Sequence, residues 1–203
     1  MSFELPLQII IIRIIGLLLV GLVHALVLVG AVTALGDRGP RYEGRLSPNP
    51  LVHAAPLGIV VAVLTLGGWI RQLDLDPAQL RQGRVALAGA VLLSLVVPVI
   101  VFVLLLQLRG LAVVNLQPSY SNVINLGLRS FAEMSVVFAV MNLIPLPPFA
   151  GGYLLQAAAP KLYEAVQPKT TIIALVVVVL AVIDRGTVVR AVTGSLVRAI
   201  AST

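Results

Sequence analysis

The sequence predicts an all-α, multi-pass membrane protein. Of its 203 residues, 59% are hydrophobic and only 11% are charged, whereas a soluble domain has about a quarter of its residues charged. Four apolar stretches are long enough, or nearly so, to cross a hydrocarbon layer of about 30 Å at about 20 residues each. We therefore predict about four to six transmembrane or re-entrant helices in one membrane domain over residues 1–203, with a proline-rich loop at the membrane interface.

The first element is the apolar run Leu5–Leu35, which is interrupted only by Gln8, Arg13 and His24. It is much longer than the apolar region of a signal peptide and no basic segment precedes it, so we expect it to remain as the first spanning helix. The chain has no cysteine, which excludes disulfides and thiolate metal sites.

Two polar connections and a short apolar segment follow. Gly36–Pro56 contains several prolines, which disfavour a helix and predict turns or extended chain at the interface. Leu57–Ile70 is apolar but too short to span upright by itself. Asp76-Pro77 is typical of a helix start, with Asp as the cap and Pro in the first turn.

The next spanning helix is predicted over Val85–Leu108, with Pro98 inside it. A proline leaves one backbone carbonyl without its helical donor, so a neighbouring group must satisfy that carbonyl within a membrane. Arg109–Ser130 is predicted to be a loop or a helix that lies on the membrane surface, because polar residues are frequent there.

The last third contains a helix break and two further segments. Phe131–Ile144 begins a helix that Pro145, Pro147 and Pro148 must end at membrane depth. Thr170–Ile183 is the last strongly apolar run. Residues 184–203 place arginines among Val, Leu and Ile, which predicts an amphipathic interfacial tail.

The net charge of +6 arises from arginines at loops and helix ends. In a membrane protein this indicates topology and contact with anionic lipid rather than nucleic-acid binding. If alternate loops lie on alternate sides of the membrane, the arginines fall into two groups of similar size, and the difference is too small to fix the membrane orientation. One side carries Arg38, Arg41, Arg45, Arg109 and Arg129, and the other carries Arg71, Arg81 and Arg84.

One proline-rich segment carries a family resemblance. The stretch from Met141 to Gly152 reads MNLIPLPPFAGG and resembles the N-x-x-P-x-P-x-x-D-G signature of the site-2 protease family of intramembrane zinc metalloproteases. Where that family has an aspartate, this chain has Ala150.

Three other segments resemble the same family in the same order. Gly44–Gly58 is similar to its G-R-L-T-x-N-P-x-x-H-x-D-P-x-G loop, with Ala55 in place of the acidic residue. Gly68-Trp69 matches a G-W pair, and residues 86–89 match the start of an A-x-A-G-P-x-x-N helix, whose Pro and Asn positions are Ala90 and Leu93 here. The resemblance covers residues 16–160 and implies a site-2-protease-like bundle.

The resemblance also implies where a catalytic zinc would lie. The family's H-E-x-x-H motif places two histidine ligands and a glutamate base on one helix, and the aspartate of the later motif is the third ligand. The matching residues here are His24, Ala25 and Leu28, with Ala150 at the aspartate position. Only His24 remains of the expected ligands. We therefore expect no catalytic residue, no bound zinc and no other cofactor, so that the protein is a pseudoenzyme.

The two histidines leave alternatives open. His24 is either an imidazole that is hydrogen-bonded inside the bundle or an axial ligand to a heme or chlorin metal. We expect His53 to be structural. A joint His24–His53 metal site is a further alternative that no spacing argument supports.

Five other residues are candidates for partner binding. Arg13 either extends to the nearer interface or forms a salt bridge with a partner subunit. Glu133 is either a helix-start residue or a partner contact. Asn142, Pro145 and Pro147 either support the fold or bind a segment of another protein.

Three functions follow from these patterns. The first is a structural or assembly subunit of a larger membrane complex, which contacts other transmembrane proteins and lipid in the plasma (inner) membrane of a bacterium. The second is a pseudoprotease that binds transmembrane partners for regulation. The third is a residual or unconventional intramembrane metalloprotease.

Overall fold

A computed structural model of the chain describes residues 6–108, 110, 115, 117–184 and 186–201, and these residues confirm the predicted all-α class. Three helices are long: α1 (Leu7–Leu35), α4 (Gly83–Gln107) and α5 (Pro118–Met141). The shorter helices are α2 (Gly39–Tyr42), α3 (Pro56–Thr65), α6 (Gly151–Ala158), α7 (Pro160–Val166), α8 (Thr170–Asp184) and α9 (Thr187–Ala201). Single 3₁₀ turns form at Pro50–Val52, Pro77–Gln79 and Gln167–Lys169.

Four helical segments are long and apolar enough to cross a membrane. They are Leu7–Leu35, Gly83–Gln107, Tyr120–Met141 and Pro160–Asp184, the last of which joins α7, a 3₁₀ turn and α8. This confirms a multi-pass, integral membrane protein. The helix α3 is apolar but shorter, as expected for a segment that does not span by itself.

The centre of the bundle consists of α1, α4 and α5, which pack on one another. Val20, Leu28, Leu87, Val91 and Phe138 fill the space between them and are almost fully buried. The helix α6 packs on α4, and α3 lies between α1 and α8. This arrangement places the middle of α1, which carries His24, in the interior.

For Arg109–Ser130 the prediction allowed a loop or a surface helix. The loop is wrong from Pro118 onward, because α5 begins there and continues without a break to Met141. Pro118 stands in the first turn, where its missing N–H costs nothing. The polar side chains bond within the helix, since Ser121 Oγ donates to the Pro118 carbonyl and Asn125 Nδ2 donates to the Ser121 carbonyl. Arg109 lies outside the described residues.

The proline-rich connection also contains short helical turns that the prediction excluded. Gly39–Tyr42 and Pro50–Val52 each form about one turn with proline in a starting position. Proline disfavours the interior of a helix but fits its first turn, and this distinction explains the error.

The second half of the fold contains the predicted helix break and the predicted tail. The helix α5 ends at Met141, which confirms the break before Pro145. The predicted tail contains α9, which packs against α5 through a face with buried Thr193 and the partly buried Val189 and Val197. Arg185, at the start of the predicted tail, lies outside the described residues.

Candidate functional site

His24 lies in the interior of the bundle and is only 1% exposed. Its Nδ1 is 2.9 Å from the carbonyl oxygen of Ser94 in α4. Ser94 is four residues before Pro98, so its carbonyl is the one that the proline leaves without a helical donor. His24 therefore supplies the neighbouring group that Pro98 requires, which the sequence could not identify.

This hydrogen bond also determines the tautomer. A carbonyl oxygen only accepts, so Nδ1 carries the proton and Nε2 holds the lone pair. The ring packs edge-on against Phe138, with centroids 5.2 Å apart. His24 borders a small cavity of about 10 Å³, which is room for about one water molecule. The cavity is lined by His24, Leu28, Ile70, Gln72, Leu73, Asn142, Pro148, Ala150 and Tyr153.

The residues around His24 do not fit a catalytic zinc. Such a site needs three protein ligands and an open position. Ala25 and Leu28 are fully buried, and Ala150 is 5% exposed, so hydrocarbon occupies the positions of the expected base and two ligands. Within the described part of the chain, no three His, Asp or Glu side chains are grouped to hold a metal ion.

The second histidine faces a different cavity. His53 Nε2 donates to the Ser47 carbonyl at 3.0 Å, and its buried Nδ1 has no hydrogen-bond partner among the described residues. His53 borders a separate cavity of about 10 Å³, together with Gly21 and Ala55. Ile70 lines both cavities. His24 and His53 therefore line two different cavities that share one wall residue, and a joint metal site stays without support.

Asn142 is buried, and both ends of its amide are bonded inside the chain. Its Nδ2 donates to the carbonyls of Gly68, at 2.7 Å, and Phe138, at 2.9 Å. Its Oδ1 accepts from the Ala150 N–H at 3.1 Å. The side chain thus ties the end of α5 to the turn before α6 and to residue 68. These contacts are those of a residue that supports the fold.

Residues 68–76 run as an extended segment across the cavity beside His24, and we call this segment the strap. Its first fixed point is the Asn142 contact to Gly68. Arg71 N–H donates to the His53 carbonyl at 2.8 Å, next to an antiparallel bridge between Ala54 and Ile70.

The far half of the strap is fixed by side chains. The Tyr153 hydroxyl accepts from the N–H of Leu73 at 2.7 Å and donates to its carbonyl at 2.9 Å. The Asp76 N–H donates to Asp37 Oδ2 at 3.0 Å, and Asp37 is 2% exposed. The strap lines the cavity beside His24 through Ile70, Gln72 and Leu73.

Tyr153 and Asp37 are structural residues that the sequence interpretation missed. Each bonds to a residue far away in the chain, so no local spacing pattern marks it. Asp37 had one local signal, because an Asp two residues before a Gly is typical of an Asx turn. In the structure its Oδ1 accepts a hydrogen bond from the Gly39 N–H at 3.0 Å.

The candidate partner-binding residues lie in different places. The Arg13 guanidinium donates to the Val63 carbonyl near the end of α3, where carbonyls lack helical donors and a cation is favourable. It is therefore bound within the chain. Glu133 pairs with Arg129 one turn earlier in α5, with 3.2 Å between Oε1 and Nε. Pro145 is exposed and Pro147 is buried.

Two residues of α4 differ from the family pattern, and they lie in different places. Ala90 is buried in the bundle core, whereas Leu93 is 51% exposed on the outer side of the helix. Leu93 therefore does not share the cavity with His24.

One curated protein supports a site-2-protease-like family for this chain. A Bacillus subtilis (strain 168) protein named "Putative zinc metalloprotease YwhC" is 25% identical over 130 residues, which cover 62% of this chain. The match covers 58% of that protein, so the chain spans less than two thirds of its relative's length. No protein-family model matches the chain. No solved structure matches it either.

Proposed function

We propose that this chain is a non-catalytic, site-2-protease-like membrane protein that acts as a structural or assembly subunit of a larger complex in a bacterial plasma membrane. The observation that carries the proposal is the hydrogen bond from His24 to the Ser94 carbonyl inside an otherwise apolar site. It gives the single remaining histidine a structural task. With Ala25 and Leu28 beside it, the histidine has neither a base nor a second ligand on its own helix.

The size of the cavity beside His24 supports the same proposal. The strap is held next to it by hydrogen bonds with Asn142, Tyr153 and Asp37, and the cavity has room for about one water. A protease needs its substrate backbone within reach of the metal-bound water. A cavity of this size does not hold a polypeptide segment beside His24.

The outer surface supports a partner-binding role. In the most apolar window of Pro160–Asp184 only 11% of residues are buried, against 44% for Leu7–Leu35. Ile172, Val179 and Ile183 are among its strongly exposed side chains. Lipid covers such a face in a lone protein, and another transmembrane helix covers part of it in a complex.

Single cysteines test the assembly role, because the natural chain has none. Val179→Cys lies on the exposed face of α8, and Ala181→Cys is a buried control on the same helix. In native membranes we expect a photoreactive thiol reagent to give one discrete, heavier adduct from the Val179→Cys variant and none from the Ala181→Cys variant. A protein that stays monomeric in both variants, and after mild detergent extraction, would contradict the proposal.

A regulatory pseudoprotease is the second candidate, and one observation favours it. Leu143, Ile144, Pro145 and Leu146 form an exposed apolar run directly after α5. We expect Pro145→Ala with Leu146→Ala to reduce recovery of a transmembrane partner if this run binds it, while the exposed control Leu162→Ala leaves recovery unchanged. Equal recovery from both variants would remove this candidate.

The third candidate is an intramembrane metalloprotease, and the name of the similar Bacillus subtilis protein favours it. Elemental analysis of the purified chain decides between the two classes, since a metalloprotease needs about one zinc per chain. We expect far less zinc than that. A stoichiometric amount that chelators remove, together with cleavage of a transmembrane reporter, would overturn the non-catalytic assignment.

A further inference from the structure

An open cavity with charged residues in its wall lies away from His24, where α4 and the Pro160–Asp184 span begin. Its volume is about 510 Å³, within the range of small-ligand sites. It is lined by Asp76, Pro77, Ala78, Gly83, Arg84, Gln156, Pro160, Tyr163 and Glu164. Gly83 and Pro160 are the first residues of two membrane spans, so the cavity lies at the level of the lipid headgroups.

One part of the cavity wall is suited to an anion. Gly83 and Arg84 open α4, a 25-residue helix whose first turn has no side-chain cap. The Gly83 N–H donates to the Leu80 carbonyl at 2.9 Å, and the partial positive charge at the start of the helix favours a negative group. Arg84 is exposed and forms no ion pair with any described residue.

Another part of the wall is suited to a cation. Glu164 and Asp76 carry carboxylates, and Glu164 also forms no ion pair among the described residues. The Oε1 of Gln156 is buried and has no hydrogen-bond partner in the described part of the chain. Arg84 and Glu164 therefore line one cavity with opposite charges that do not pair with each other. A ligand that carries both charges would neutralise each of them.

We propose that this cavity binds a zwitterionic phospholipid headgroup with a primary ammonium, as in phosphatidylethanolamine. The phosphate lies at Arg84 and the start of α4, and the ammonium lies at Glu164 and Asp76. A choline headgroup has no N–H to donate to the carboxylates, and it is usually held by several aromatic rings. Tyr163 is the one aromatic residue among the described residues of the wall.

The surface beside the cavity suits the rest of a lipid. Val85 is 75% exposed and follows Arg84, and Leu162 is 54% exposed and precedes Tyr163. Apolar side chains next to a charged cavity at the end of two spans give the acyl chains a path into the hydrocarbon layer. A soluble ligand would not need that path.

The experiment uses the delipidated full chain in detergent and native mass spectrometry. Phosphatidylethanolamine, phosphatidylcholine and phosphatidylglycerol with identical acyl chains are titrated separately. We expect the ethanolamine lipid to bind one per chain and at the lowest concentration. Equal binding of all three lipids, or a preference for the anionic glycerol lipid, would overturn the proposal.

Variants assign the two ends of the headgroup. Arg84→Gln and Glu164→Gln should each weaken ethanolamine-lipid binding about fivefold or more, because each removes a charged hydrogen-bond partner. Arg81→Gln and Lys161→Gln are exposed controls that do not line the cavity, and we expect changes within about twofold. An unchanged affinity in Glu164→Gln would overturn the ammonium assignment and the proposal with it.

A competition arm separates the lipid from a free headgroup. Soluble phosphoethanolamine should displace the lipid only at a far higher concentration, since it lacks the acyl chains. Displacement at equal concentration would show a soluble ligand and reject the lipid. Both results are independent of the proposed assembly role.

Discussion

Two regions of this molecule resemble the same protease family, and they differ in what their residues do. In the loop Gly44–Gly58, Arg45 donates to the Val52 carbonyl at 2.8 Å and Asn49 Oδ1 accepts from the Leu51 N–H at 3.0 Å. In the site around His24, the positions that would carry chemistry hold Ala and Leu side chains in tight apolar packing.

The difference separates two kinds of motif residue. The polar residues that match the family pattern in the loop form hydrogen bonds to nearby backbone, so they determine the loop's shape. Asn142 belongs to the same class, although it lies in the signature that ends at the missing aspartate. Structural contacts alone are thus enough to explain why these residues match the pattern.

The largest effect should come from returning the family's chemistry to the interior. The variant Ala25→Glu/Leu28→His/Ala150→Asp places two ligands and a base beside His24. Without metal these buried ionisable groups should lower the free energy of unfolding by about 5 kcal/mol. Zinc binding should offset that loss, because it stabilises only the folded state.

Thermal unfolding with zinc and with a chelator measures this effect. Amides of similar size, Ala25→Gln/Leu28→Asn/Ala150→Asn, serve as the control and should show no stabilisation by zinc. A restored variant that neither binds zinc nor loses stability would show that the resemblance does not place these residues in one site.

The next largest effect concerns Asn142. Like the polar loop residues, it bonds to backbone groups, so we expect its side chain to be needed for stability. Asn142→Ala leaves the Gly68 carbonyl and the Ala150 N–H buried without their partner. We expect a loss of about 3 kcal/mol in the free energy of unfolding. Asn122→Ala, at an exposed position of α5, should change it by less than about 0.5 kcal/mol. Equal losses would contradict the structural role.

Two helical glycines extend the comparison. A Cβ at Gly58, in the loop pattern, would contact the Trp69 carbonyl oxygen and lie 3.1 Å from its backbone N and C atoms. A Cβ at Gly89, in the α4 pattern, meets nothing within 4 Å. Gly58→Ala should therefore cost about 2 kcal/mol, and Gly89→Ala should stabilise by about 0.5 kcal/mol. Unfolding measurements in one detergent would test the sign of each.

The sequence predicted the features that depend on local composition. Long apolar runs predicted α1 and α4, and the prolines after Asn142 predicted the end of α5. It left residues 118–130 open between a loop and a helix, because composition does not reveal that Ser121 and Asn125 bond to their own helix.

Contacts between distant residues could not be predicted. The strap depends on Tyr153, which is 80 positions from Leu73, and no periodic pattern connects them. The guanidinium of Arg13 donates to the Val63 carbonyl, 50 positions away, and no local pattern indicates this contact. Every helix leaves its last carbonyls without helical donors, but the sequence does not show which distant side chain will bond to them.

The smallest effect is the most specific, because it tests why one histidine remains in a site that does not fit zinc. His24→Leu should destabilise by about 1 kcal/mol, since the Ser94 carbonyl loses its donor. Pro98→Ala restores an N–H to that same carbonyl, so the leucine substitution should cost almost nothing in the Pro98→Ala background. The double-mutant cycle should give a coupling free energy of about 1 kcal/mol. Additive effects would mean that His24 does not act through Pro98, and its persistence would then have to be explained by the lone pair on Nε2.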